Sequence, residues 1–145
     1  VKVALVILGQ PVSKSNRSQI IVVNGHASLV KSKEARQYHA DATRQIPVRA
    51  RLRFEGPVRV TLRLFYASER PDMDESVVLD AMQDQFKRVG DERVLVQAGV
   101  YRNDRQVRER HVYHAIDARN PRAEIEVETM AMQQAALDVE AEEVF

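Results

Sequence analysis

Apolar and polar positions alternate over Val58–Tyr66: Val58, Val60, Leu62, Leu64 and Tyr66 fall on one side, and Arg59, Thr61 and Arg63 on the other. A period of two predicts a strand with one buried face. Val1–Leu8 alternates likewise through Val1, Val3, Leu5 and Ile7, and Gly9-Gln10-Pro11 breaks it. Ile20–Val23 and Ser28–Val30 flank Asn24-Gly25, two residues that both accept positive φ, which predicts a hairpin. Ser32 is placed to cap a helix starting at Lys33, with Ala35, Tyr38, Ala42 and Ile46 along one side and Pro47 at its end. Val78, Met82, Phe86 and Val89 recur at helical spacing, so a second helix is predicted over Glu75–Val89, stopped by Gly90. Val94–Tyr101, interrupted by Gly99, reads as a strand. Asn103–Arg110 reads as a charged loop or hairpin turn, Arg110–Ile116 as a short strand, and Ala123–Glu128 as another with Ile125 and Val127 inward. The Ala/Met/Gln/Glu-rich stretch from Thr129 predicts a helical tail packed on the domain or on a second copy. This order predicts an α+β fold, a mixed sheet packed with two main helices in a single domain over 1–128, with the tail over 129–145.

Composition changes this picture little. The 145 residues suit one domain, and 44% hydrophobic with 30% charged residues is ordinary for a globular chain. No apolar run approaches the roughly 18–20 residues that span a bilayer. Val1–Leu8 lacks the basic leader and small-residue cleavage site of a signal peptide. There is no cysteine, so disulfides and thiolate metal sites are excluded, and a cytoplasmic location is the expectation. Charge is more informative. Residues 1–70 carry 13 Lys/Arg against 4 Asp/Glu, a net of +9, whereas residues 71–145 carry 9 against 17, a net of −8. A basic half beside an acidic half suits a polyanion-binding surface next to a metal centre, or two halves that interleave and pair.

The candidate chemistry centres on Arg70-Pro71-Asp72-Met73-Asp74-Glu75, which puts three carboxylates within four residues between a predicted strand and a predicted helix. Carboxylates this close resist joint ionisation unless they are well solvated or share a cation. Mg²⁺ takes carboxylate oxygens and retains waters for chemistry on phosphates. The competing reading is helix capping, either Asp72-x-x-Glu75 as a capping box or Asp74 as the cap. Asp91-Glu92 form a second acidic pair, either a solvated turn or carboxylates returned beside Asp74 by a following strand. Lys14–Arg17, Lys31, Lys33 and Arg36 are candidates for phosphate contacts. The four histidines show no zinc-protease spacing and read as structural or surface residues. There is no glycine-rich phosphate loop or Ser/His/Asp pattern.

Taken in order, several segments resemble the RusA-type Holliday-junction resolvases, small endonucleases common in phages and prophages. Gly9-Gln10-Pro11-Val12-Ser13-Lys14-Ser15-Asn16-Arg17 is similar to the family's G-x-P-x-S-K-x-N-R loop. Leu29–Tyr38 resembles its strand-to-helix passage, and Arg70-Pro71-Asp72-Met73-Asp74 its R-P-D-x-D-N signature. Val78-Leu79-Asp80-Ala81-Met82 resembles the helix that follows, Asp91-Glu92 its acidic pair, and Ala123–Val127 its closing strand.

The resemblance implies a homodimer that binds four-way DNA junctions in recombination and repair, each subunit cutting one strand with Mg²⁺, or Mn²⁺ in its place. On matching positions Asp72 and Asp74 are the metal ligands and catalytic carboxylates, Asp91 or Glu92 supplies the third, and Glu75 adds a fourth. Lys14, Asn16, Arg17, Lys31, Lys33 and Arg70 are the implied DNA contacts. Three departures stand out. The Asn after the second Asp is Glu75, a Lys six residues after the first Asp is replaced by Val78, and the stretch before Leu79 is two residues shorter. Losing one electrostatic contact to the reacting phosphate can cost about 10²–10³ in rate. The alternative implied is therefore a branched-DNA-binding protein without nuclease activity.

Overall fold

The computed structural model describes residues 1–131 as a four-stranded mixed sheet with two helices on one face, an α+β fold. The strands are β1 (Lys2–Leu8), β4 (Val58–Tyr66), β7 (Val107–Ile116) and β8 (Arg122–Thr129), in the order β1-β8-β4-β7. β8 runs antiparallel to both neighbours, and β4 and β7 are parallel. A parallel pair needs a crossover, and everything between Tyr66 and Val107 belongs to it. The helices are α1 (Lys33–Gln45) and α2 (Ser76–Ala81), and two hairpins stand apart from the sheet, β2 (Ser18–Val23) with β3 (His26–Lys31) and β5 (Gln85–Val89) with β6 (Glu92–Gln97).

The period-two pattern does what the sequence predicts. Val58, Val60, Leu62, Leu64 and Tyr66 are fully buried and meet Val3, Leu5 and Ile7 of β1 and Ala123, Ile125 and Val127 of β8 in one core. Ala35, Tyr38 and Ala42 of α1, and Val77, Val78, Leu79 and Ala81 of α2, close it from one side. Ser32 caps α1 as predicted, its hydroxyl accepting from the Ala35 amide at 3.0 Å. Asn24 and Gly25 take φ of 52° and 77°, the two positive values a tight hairpin requires.

On the opposite sheet face the halves of the chain pair with each other. Lys2 meets Glu126 at 3.4 Å, and Arg59 meets Glu109 and Glu128 at 2.9 and 3.0 Å. Of the two readings of the charge asymmetry, mutual pairing is the one these contacts realise.

The helix predicted over Glu75–Val89 is corrected. Only Ser76–Ala81 is helical, and Gln85–Val89 is strand β5. The physical reason is a long-range insertion. Val100 donates its amide to the Met82 carbonyl at 2.7 Å, Phe54 donates to Val100 at 2.9 Å, and the Asp84 carboxylate takes the Gly99 amide at 2.8 Å. Segment 99–101 thus threads between 53–54 and 82–84, using groups a continuing helix would need. Gly99 is required there, since a Cβ would lie 2.4 Å from backbone atoms of Met82 and Gln83. The strand predicted over Val94–Tyr101 is likewise divided, β6 ending at Gln97, and β7 begins at Val107, three residues before the predicted Arg110. Thr129, expected to open the tail, is the last residue of β8, Met130 and Ala131 follow it without helical structure, and residues 132–145 of the predicted tail lie outside the described residues.

Candidate active site

Two loops that the sequence separates by more than fifty residues meet at the end of β4. Tyr66, the last residue of that strand, is wholly buried, and its hydroxyl accepts the Asp74 amide at 3.2 Å. The Lys14 amide donates to the Asp72 carbonyl at 3.1 Å, and the Ala67 amide to the Gln10 side chain at 2.9 Å. These bonds stitch the basic loop 10–17 to the acidic loop 67–75. Ser32 adds a third tie, donating its hydroxyl to the Asn16 carbonyl at 2.5 Å while capping α1.

Within this frame the carboxylates differ sharply. Asp74 is buried, 5% exposed, and its Oδ1 accepts from Arg17 Nη1 at 3.0 Å. Its Oδ2 accepts the Ser76 hydroxyl at 2.8 Å, and the Ser76 amide lies 3.4 Å from Oδ1, so Asp74 also serves the first turn of α2. The cap position of α2 is nevertheless Glu75, whose side chain makes no capping hydrogen bond, so neither Asp72 nor Asp74 is the cap residue the sequence suggested. Asp72 is exposed, and among the described residues its carboxylate has no hydrogen-bond or ion-pair partner. Glu75 is half-buried and faces Arg110 Nη1 at 3.5 Å.

The cations sort in the same way. Arg17 and Lys31 turn toward the acidic residues, whereas Lys14, Lys33 and Arg70 are exposed, as is the neutral Asn16. Lys31 Nζ lies 2.7 Å from Asp80 Oδ2, and His39 Nε2 lies 3.3 Å from the same oxygen. Gln83 donates to Asp80 Oδ1 at 2.8 Å. The hydrogen bond from His39, with Lys31 beside it, holds the Asp80 carboxyl down to about 2 against the opposing effect of burial. A cleft of about 490 Å³ runs between the β2–β3 hairpin and α2, with Arg17, Lys31, Ser76 and Asp80 on its walls.

Asp91 and Glu92 are not brought into contact with this group. They sit exposed at the turn of the β5–β6 hairpin, and Asp91 lines a depression with Phe86, Lys87, Arg88 and Arg93. The acidic residue beside α2 is instead Asp104, in a 3₁₀ turn over Asp104–Gln106. Its amide donates to Gln83 Oε1 at 3.1 Å, the same side chain that holds Asp80. The phenol of Tyr101, hydrogen-bonded to the Leu79 carbonyl at 2.6 Å, is pushed up by burial and then by the negative charges of Asp104 and Asp80. Sequence reasoning passed over Asp80, Asp104, His39 and Arg110. Asp80 was signalled by being the one charge in the apolar run Val77–Met82, and Asp104 by Asn103-x-x-Gln106, which forms a capping box.

Among the described residues no group of three or more His, Asp or Glu side chains stands arranged to hold a metal ion. The donor set does fit an ion held in part by substrate, because Mg²⁺ is commonly bound by one or two carboxylates plus phosphate oxygens. Asp72 has an open carboxylate, and Asp74, two residues on, would exchange its Arg17 or Ser76 contacts for the ion. No described helix is long and apolar enough to cross a membrane.

The family model for endodeoxyribonuclease RusA matches residues 9–128, which include both loops, both helices and the closing strand. No curated protein matches the chain.

Proposed function

Since the chain belongs to the RusA family of endodeoxyribonucleases, we propose that it is a divalent-metal-dependent nuclease that resolves Holliday junctions or related branched DNA as a homodimer. The observation that carries this reading is the junction of the two loops, in which the Asp72 carbonyl takes the Lys14 amide and Asp74 pairs with Arg17 at the head of α2. Asp72 and Asp74 are the residues proposed to hold Mg²⁺ or Mn²⁺. When bound, such an ion supplies an activated water and offsets charge on the scissile phosphate.

The remaining roles belong to the chain itself. Arg17, 40% exposed, is the cation best placed to leave Asp74 for a phosphate. Lys31 is held toward the cleft by Asp80 and adds positive charge there. Asp80 is committed to Lys31, His39 and Gln83, whereas Asp104 is exposed, with no partner for its carboxylate among the described residues. Asp104 is thus proposed as the third acidic residue, in preference to Asp91 or Glu92. Lys14, Asn16, Lys33 and Arg70 are proposed to position the DNA backbone around this centre.

The test is cleavage of a labelled four-way junction and of a matched linear duplex in Mg²⁺ and in Mn²⁺. The parent protein is expected to nick the junction, Asp74→Asn and Asp104→Asn to bind without nicking, and Asp91→Asn to cut normally. Cutting by Asp74→Asn at the parent rate would sink the site assignment. A second reading rests on Val78, which is 1% exposed and faces the core where the family carries a lysine. If that loss is not made good by Arg17 and Lys31, the parent protein will bind junctions and cut none at any metal concentration.

A further inference from the structure

The β5–β6 hairpin is rooted firmly and covered poorly. At its base Asp84 is buried, ion-paired to Arg53 at 2.9 Å and bonded to the Gly99 amide, so the ribbon leaves the domain at a fixed place. Beyond that base it forms its own two-stranded sheet. Isolated two-stranded ribbons are marginal in water and gain from a covering partner.

Register shows what this ribbon presents. Phe86 lies opposite Leu95, and Arg88 lies opposite Arg93, so the four share one face near the tip. Phe86 and Leu95 are 40% and 38% exposed. The Arg93 guanidinium sits 3.9 Å over the Phe86 ring, and Lys87 and Asp91 complete a depression of about 430 Å³ around the pair. Like charges directly opposite on a ribbon are destabilising. Among the described residues Lys87, Arg88 and Arg93 form no ion pair with an acid, whereas seven of the other fifteen arginines there do.

An anionic partner removes that repulsion, and one with flat apolar rings also covers Phe86. Both belong to DNA, whose phosphates take arginines and whose unstacked bases stack on aromatic rings and guanidinium planes. A second copy of the chain fits less well, because a two-fold contact sets the same patch on itself and would bring two faces of like charge together.

We propose that the β5–β6 hairpin is a second DNA-contacting element, with Arg88 and Arg93 on phosphates and the Phe86 ring against an unpaired base at a branch point. It rests on the DNA-binding reading above but uses none of the residues assigned to cleavage.

The test is fluorescence-anisotropy titration, without divalent metal, of a four-way junction, a linear duplex and an oligothymidine by the full chain. Arg88→Ala/Arg93→Ala is expected to weaken junction binding about tenfold or more and to lower the slope of log K against log salt by about 2. Phe86→Ala is expected to weaken the oligothymidine about fivefold or more while changing the linear duplex less. Circular dichroism and light scattering establish that the variants keep the parent fold and mass. Folded variants that bind all three DNAs with parent affinity and salt slope would overturn the proposal and leave the nuclease reading intact. A change of mass with unchanged affinity per subunit would make the hairpin a contact between copies and also overturn it. A parent protein that binds none of the three would overturn both readings.

Discussion

Arg17 Nη1 and Asp74 Oδ1 are 3.0 Å apart across 57 positions of sequence, with the carboxylate buried and the guanidinium partly in solvent. A buried charge that loses its partner costs more than one that is itself removed, because the unpaired ion keeps its desolvation penalty. Arg17→Ala is therefore expected to destabilise the protein by about 1–3 kcal/mol, toward the lower end because solvent screens the exposed partner. Asp74→Asn is expected to cost less, and the double variant no more than Arg17→Ala alone. Urea denaturation of the three proteins checks the order. A cost for Asp74→Asn that exceeds the Arg17→Ala cost would show that the Ser76 contacts, not the ion pair, hold the loop.

Asp80 ties stability to pH. Its folded carboxyl titrates near 2 instead of 3.8, chiefly through the His39 hydrogen bond and then Lys31. A depressed carboxyl stabilises the fold above its unfolded pKa, and that stabilisation is lost as pH falls through 3.8 toward about 2. Asp80 is one-third exposed, which limits the effect to about 1–2 kcal/mol after screening. The stability gap between the parent protein and Asp80→Asn should be full near neutral pH and should close across that acid window. A gap that stays constant into acid would mean that Asp80 contributes by packing alone.

Much of the fold was legible because its strands bury one face, so burial itself imposes a period of two, as at Val58–Tyr66. Capping was equally local, and Ser32 could be read from its position before Lys33. The stretch after Asp74 failed for the opposite reason. Val78 and Met82 are core residues of the helical region, whereas Phe86 and Val89 are exposed on a strand, yet the four share a spacing that mimics one helix stripe. What decides between the two is the Val100 amide on the Met82 carbonyl, a contact no local pattern contains. The acidic and basic loops were visible as compositions. Their joining depends on Tyr66, whose side chain served the sequence reading only as the end of a strand.

Gly99 carries the cost of that threading. A Cβ there would stand 2.4 Å from the Met82 oxygen and the Gln83 carbonyl carbon and 2.6 Å from the Asp84 nitrogen, all backbone atoms without rotamers to change. Gly99→Ala is expected to destabilise by about 3 kcal/mol, the upper part of the range for overpacking. The hairpin root should loosen first, seen as faster hydrogen exchange at Val100, whose amide is bonded to Met82. A melting temperature within a degree or so of the parent would show that segment 82–84 can give way.

Tyr66 links the core to the carboxylates most directly. Its ring is wholly buried, stacked on His114 with centroids 5.1 Å apart, and its hydroxyl receives the Asp74 amide. Tyr66→Phe keeps the ring and the stack and removes the hydroxyl, which accepts the Asp74 amide and donates to the Val12 carbonyl at 3.5 Å, so that the buried Asp74 N–H is left unsatisfied. Such a group costs about 1–3 kcal/mol. If the hydroxyl fixes the acidic loop, the variant should lose junction cleavage by a larger factor than junction binding, because Asp72 and Asp74 shift while the basic residues around them keep their places. Amide exchange at Asp74 should accelerate in parallel. Equal losses of binding and cleavage, with Asp74 still protected, would mean that the loop is held by the Lys14–Asp72 backbone bond and that Tyr66 serves the core alone.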